Sequence, residues 1–456
     1  MTDRPTWIDS GRPIARLVAQ PLARFLHVEA AGGILLLGAT VVALVWANSP
    51  WQSSYVDLWS TEAVVRIGSA EVAENLQHWV NDGLMAVFFF VVGLEIKREL
   101  VTGDLSEPRD AMLPAVAALG GMVVPAAIFL AFNAGGSGRD GWGVPMATDI
   151  AFAVGVLALL GDRVPPPAKL LLLALAIVDD IGAILVIAVF YTDDLALGWL
   201  AAAIVGLVVV AQMRRLRVWY PPVYLVAGVL VWWFTFQSGV HATIAGVALG
   251  LVTPARPLLP APVADEIADR LSVDTDVSAE EVREVSFALR ESVSVAERLG
   301  QDLHPWSSYV IVPIFALANA GIPLSWDALG DAAGSALTIG VVVGLVVGKP
   351  LGIVAAVVLT TRLGLGRLPD GLGWRHVWGI GALAGIGFTV SLFISGLAFD
   401  TADHRNQAAL GVLAASALAA VVGTLVLLRA PTTPTPTTTP PPPEPAPAPG
   451  AEAEGL

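Results

Sequence analysis

The chain has 456 residues, of which 55% are hydrophobic and only 14% charged, with a mean hydropathy of +0.71. Soluble domains carry about 25% charged residues, so a soluble fold of this length is all but excluded. The lack of cysteine rules out a disulfide scaffold, and a net charge of −14 argues against nucleic acid as a partner.

A helix needs about 20 mostly apolar residues to cross roughly 30 Å of hydrocarbon. Twelve such segments, I to XII, lie near 28–48, 78–100, 111–133, 142–160, 168–190, 196–213, 218–236, 238–254, 306–323, 332–361, 374–398 and 404–428. The chain reads as an all-α polytopic membrane protein. It divides into an N-terminal segment 1–27, a twelve-helix membrane domain 28–430 and a tail 431–456. Segment I follows four arginines but lacks a small-residue cleavage site, so it reads as a retained helix.

Of the 25 Lys and Arg, 21 fall at the two termini or in alternate loops on one side. The opposite loops hold only Arg66, Arg139 and Arg405, while Lys349 lies inside segment X. By the positive-inside rule both termini are cytoplasmic.

Three stretches fall outside the bilayer. Residues 49–76 include Ser53–Gly68, whose β-branched and aromatic residues suggest a short external hairpin. Residues 255–305 form an acidic cytoplasmic connector. There Ser278-Ala-Glu-Glu281 resembles a capping box, and a helix should follow with Val285, Leu289, Val293 and Leu299 near one face. The tail holds ten prolines and six threonines, a composition that builds no packed core.

Asp179 and Asp180 sit at the centre of segment V, where each ionised acid costs roughly 2.5–3.5 kcal/mol on insertion scales. Neighbouring helix positions differ by about 100°, so the two cannot face one partner equally. Lys349 supplies a counter-charge in segment X, whose glycines at 340, 344, 348 and 352 form a bare stripe for close backbone approach. The run Gly344–Pro350 is one residue short of a phosphate-binding loop and lacks its Ser or Thr.

In segment IV, Pro145-Met-Ala-Thr148-Asp149 predicts an interrupted helix, and Gly381-Ala-Leu-Ala-Gly385-Ile-Gly387-Phe-Thr389 gives XI the matching defect. These suggest that III–V and X–XII are repeats of opposite sense, with IV and XI broken and crossing. Facing helix ends would carry partial charges, for which Asp149 and Lys349 are available as compensators.

Together, Ala147-Thr148-Asp149-Ile-Ala-Phe-Ala, Ala176-Ile-Val-Asp179-Asp180-Ile-Gly-Ala-Ile, Gly348-Lys349-Pro350-Leu-Gly and Gly385-Ile-Gly-Phe-Thr389 resemble the NhaA-type bacterial sodium/proton antiporters. That family is itself an example of inverted repeats and broken helices, so the repeat reading is not independent of the resemblance. The resemblance runs from about residue 15 to 430. It implies Asp180 as principal sodium ligand, Asp179 as a proton-exchanging neighbour paired with Lys349, and Thr148 and Asp149 at the crossing. It implies pH sensing around Glu95, Arg98 and Glu99, a segment II motif at Asn81-Asp82-Gly83, and a matching His304-Pro-Trp306. Gly300 and Gln301 stand where an acid and a histidine are expected.

Asp82 lies near the outer end of II, where a carboxylate is tolerated as an interfacial group. His241, at the head of VIII, is a further pH-sensing candidate, since imidazole changes charge near neutrality. Trp51, Trp219, Trp306 and Trp374 read as interfacial anchors.

The expected function is exchange of Na+ or Li+ for H+ by a homodimer joined through the hairpin, in the bacterial inner membrane, with pH regulation. No cofactor and no enzymatic activity are implied. A proton-coupled carrier of an organic solute would need further polar groups in the spans. An intramembrane aspartyl protease would draw its acid pair from two segments rather than one.

Overall fold

A computed structural model describes residues 31–431, apart from 68–69, 104, 193–194, 214, 217–220 and 260–277. The segment 1–27, the tail beyond 431 and the middle of the connector lie outside the described residues. The described chain is helical apart from one two-stranded sheet. Five helices are long and apolar enough to cross a membrane among the described residues, or seven if each bent pair counts once. Apolar side chains such as Val45, Val123, Leu185, Val205 and Leu225 are exposed on the helices rather than buried. An apolar solvent suits such a surface, and water does not. The chain is an all-α, multi-pass membrane protein.

Segment I is the helix Ala31–Ala47, and III and V are the uninterrupted helices Pro108–Asn133 and Pro166–Phe190. Segments VI and VII are Leu197–Met213 and Pro221–Gln237. XII is Ala402–Leu428. Segment VIII starts at Thr243, five residues later than the hydropathy suggests. The cause is a turn at its head, where Gly239 adopts a φ of 80°.

The external stretch differs from the expectation in its first half. Gln52–Ser60 is a helix, and the hairpin follows it as β1 Glu62–Ile67 and β2 Ala70–Asn75. Tyr55 and Trp59 are four residues apart and therefore share a helix face, where their rings pack 6.4 Å apart. That local pairing overrides the β propensity of the same residues. The Tyr55 hydroxyl donates to Leu317 O at 2.9 Å, which ties this helix to segment IX. The strands are antiparallel with Val65 opposite Val72 and Arg66 opposite Glu71. Trp79 Nε1 donates to Ala63 O at 2.9 Å and fixes the hairpin to the head of II.

The connector helix is also corrected. Instead of one helix through Val293 and Leu299, two are present, Ala279–Glu291 and Val295–Trp306. Ser294 caps the second by accepting from Glu297 N at 3.2 Å. The short helix Trp326–Gly334 takes the first residues assigned to X, and Ser335 separates it from Ala336.

Segment X packs its glycine stripe on III. A Cβ at Gly348 would stand 3.0 Å from the Pro125 backbone, and one at Gly352 would overlap Gly120 O. The two backbones touch there, and any side chain would force them apart. Three helices contain π turns, at Trp79–Leu84, Ser307–Ile311 and Gly344–Gly348. The last of these delivers Lys349 to the protein centre.

Candidate functional site

Segment IV is broken into a 3-10 helix Arg139–Met146 and an α-helix Ile150–Leu159. Pro145 offers no N–H to the first piece, and Asp149 begins the second as its N-cap. Segment XI is likewise split into Trp374–Ala384 and Phe388–Ala398, bent by 43°. The two breaks bond to each other. Asp149 N donates to Ile386 O at 2.6 Å, and Thr148 Oγ1 donates to Ala384 O at 2.8 Å. Ser391 Oγ adds a bond to Val144 O at 2.7 Å.

Asp149 sits at the N-terminal ends of both continuing half-helices. Its Oδ1 accepts from Phe152 N at 2.9 Å, and its Oδ2 accepts from Thr389 N at 3.0 Å and Thr389 Oγ1 at 2.7 Å. An anion is favoured there because the exposed N–H groups of each helix end carry about half a positive charge. Lys349 serves the opposite kind of end. Its ammonium donates to Met146 O, at the C-terminal end of the 3-10 piece.

Lys349 Nζ also pairs with Asp179 Oδ2 at 2.7 Å, with both side chains fully buried. The other Asp179 oxygen, Oδ1, is buried with no hydrogen-bond partner. Thr148 lies beside it, but the threonine proton goes to Ala384 O. Asp180 is 4% exposed, and among the described residues no hydrogen bond or ion pair reaches it. Asp179, Glu95, Asp149 and Lys349 are the charged groups that act on it. One acid thus has a cationic partner, and its neighbour, turned about 100° away, has none.

A model of the family described as "Na+/H+ antiporter 1" matches residues 23–427. The chain belongs to that family. It is 50% identical over 431 residues to "Na(+)/H(+) antiporter NhaA 2" of Sorangium cellulosum (strain So ce56), covering 92% of each chain. It is 49% identical over 424 residues to the protein of the same name in Myxococcus xanthus (strain DK1622), covering 91% of this chain and 90% of the relative. Against "Na(+)/H(+) antiporter NhaA" of Rhodopirellula baltica it is 50% identical over 428 residues, covering 91% and 95%.

Within this Na+/H+ antiporter family member, Thr148, Asp149, Asp179, Asp180 and Lys349 form one cluster; Glu95 acts on Asp180 through its charge, and the other candidates stand apart. Glu95 and Arg98 line a cavity of about 280 Å³ with Leu94, Glu297, Gln301 and His304. Arg98 Nη2 pairs with Glu99 Oε1 at 3.1 Å. Burial against the cavity wall pushes the His304 imidazole below its ordinary range. Asp82 pairs with His78 Nε2 at 2.9 Å, near the hairpin. His241 lies away from both groups, its Nε2–H donating to Tyr191 O beyond the end of V.

Sequence reasoning left several participants without a role. Thr389 was visible two residues past the glycine break, the position from which a hydroxyl can reach across to a cap. His78 was visible as the residue four before Asp82. Glu297 was visible in Ser294-Val-Ala-Glu297, a capping-box pattern. Met146 contributes only its carbonyl, which no residue pattern marks.

Proposed function

We propose that this protein exchanges Na+ or Li+ for H+ at Asp179 and Asp180. The observation that carries the reading is Asp180: a buried carboxylate without a protein partner, beside a second acid with one unpaired oxygen. Buried charge in a membrane is costly and is kept where ions move. A dehydrated sodium ion wants oxygen ligands, which carboxylates provide once deprotonated. Sodium binding at Asp180 then releases protons, and proton capture releases sodium. Exchange of two protons for one sodium would make the transport electrogenic.

Twelve crossings, inverted repeats III–V and X–XII, and alternating access around the crossed breaks complete this reading. Both termini are placed in the cytoplasm by the distribution of basic residues, and the lipid is that of the bacterial inner membrane. Thr148, Asp149 and Lys349 hold the crossing and compensate its helix ends. Glu95, Arg98, Glu99 and His241 are assigned to pH sensing, with Asp82 a weaker contributor. The relatives' names support the cation and the counter-ion; an organic solute or peptide hydrolysis has no comparable support.

The test is proton movement in reconstituted vesicles when Na+, Li+, K+ or an organic solute is added across a pH series. Sodium or lithium should drive proton flux, with activity and apparent sodium affinity rising from acid to alkaline pH. A response to an organic solute alone would overturn the reading. Saturating sodium should erase the pH dependence if ions and protons merely compete. A steep acid fall that survives saturation assigns the remainder to a separate switch at Glu95 and its neighbours.

The hairpin β1–β2 is also assigned to a homodimer contact. A lone two-stranded hairpin is marginal, and a second copy completes its edge. Single cysteines placed on β1 near the exposed Val64, in the cysteine-free background, should cross-link between copies, whereas purely monomeric products would reject the contact.

A further inference from the structure

We infer that Tyr191 is a positioning residue that latches the 3-10 half of segment IV to segment V and thereby sets the second acceptor of Lys349. The inference rests on the carboxylate site proposed above. Tyr191 follows directly on the helix Pro166–Phe190 that carries both aspartates. Its ring is buried, stacked 6.5 Å from Trp142 at an interplanar angle of 24°.

Its hydroxyl uses both of its capacities on one short helix. It donates to Asp140 O at 2.7 Å and accepts from Gly143 N at 3.2 Å. The fit is close: a Cβ at Gly143 would stand 2.8 Å from that hydroxyl oxygen. The Tyr191 carbonyl meets His241 Nε2, so the same residue also engages the head of VIII.

The latched helix ends at Met146, whose carbonyl takes one Lys349 N–H while Asp179 Oδ2 takes another. Segment V therefore holds Lys349 twice: directly through Asp179, and indirectly through Tyr191 and the 3-10 helix. If the hydroxyl is lost, the 3-10 helix keeps its Ser391–Val144 bond but loses its tie to segment V, and Met146 O is held less firmly on the ammonium. An ammonium has three N–H donors. The released one has Asp179 Oδ1, on the carboxylate the ammonium already holds, as an unpaired acceptor. That is an oxygen the cation needs.

Tyr191→Phe keeps the ring and removes only the hydroxyl. Vesicle exchange at one fixed alkaline pH should show the sodium half-saturation raised about fivefold, the scale of one net hydrogen bond. Turnover at saturating sodium should change less than the half-saturation does. Gly143→Ala should give a similar rise by pushing the hydroxyl aside. The double variant should be less impaired than the product of the two, because the alanine methyl takes the space the hydroxyl vacated.

A Tyr191→Phe protein with fewer folded copies but unchanged half-saturation has lost packing only, and that result would overturn the latch. So would strictly multiplicative effects in the double variant. Asp180→Asn in the same assay separates the two ideas. Exchange surviving in Asp180→Asn defeats the carboxylate site itself; exchange lost there, with Tyr191→Phe at wild-type half-saturation, defeats the latch alone.

Discussion

Asp180→Asn should reduce sodium-driven proton exchange to background at every pH while leaving the protein folded in the membrane. The replacement keeps the shape of the side chain and removes a buried charge that no hydrogen bond or ion pair among the described residues engages. An amide can offer a carbonyl oxygen, but it cannot release or recapture a proton. The ordinary explanation of a dead transporter, failure to insert, predicts the reverse of the expected stability. Removing an ionised acid from the centre of a span recovers a cost of roughly 2.5–3.5 kcal/mol on insertion scales. The variant should therefore melt no lower than the parent in detergent. Wild-type exchange in Asp180→Asn would remove Asp180 from the site.

Lys349→Ala should have the largest effect on stability. Lys349 and Asp179 are both fully buried and 2.7 Å apart. Removing one partner of such a pair typically costs about 3–5 kcal/mol, because it strands the other charge. Met146 O would lose its donor as well. Pairing Lys349→Ala with Asp179→Asn removes both charges and should recover most of the lost thermal stability. Exchange should not return with it. Melting curves of the two single variants, the double variant and the parent form a cycle, and additive losses would show that the pair is not coupled.

Legibility from the sequence followed how local each signal was. The break in IV could be read because Pro145 and Asp149 act on their own turn, and the glycine break in XI for the same reason. The glycine stripe of X announced a close backbone neighbour without naming it; the fold supplies III, through Pro125 and Gly120. The first half of Ser53–Gly68 folds as helix rather than hairpin, because its β-branched and aromatic composition says less than the burial of Tyr55 against Trp46 and Trp59. The single helix expected after Ser278–Glu281 breaks before Val293, because Ser294 marks a new start. At the site, charged side chains were visible because charge is rare in a span. The neutral partners, Thr389, Met146 O and Tyr191, could not be found this way, since they carry no charge and their bonds run to segments distant in the chain.

The three buried aspartates are the same functional group, yet they differ in how much of each is still available. An ionised carboxylate has about four lone-pair positions. Asp149 has three of its positions occupied by N–H and O–H groups. Asp179 has one filled, by the ammonium of Lys349. Asp180 has none filled by protein among the described residues. Depth does not separate them, since all are nearly inaccessible. What ranks them is vacant valence. A visiting cation meets a nearly filled oxygen pair at the helix crossing, a half-committed pair beside the lysine and an uncommitted pair one residue further on.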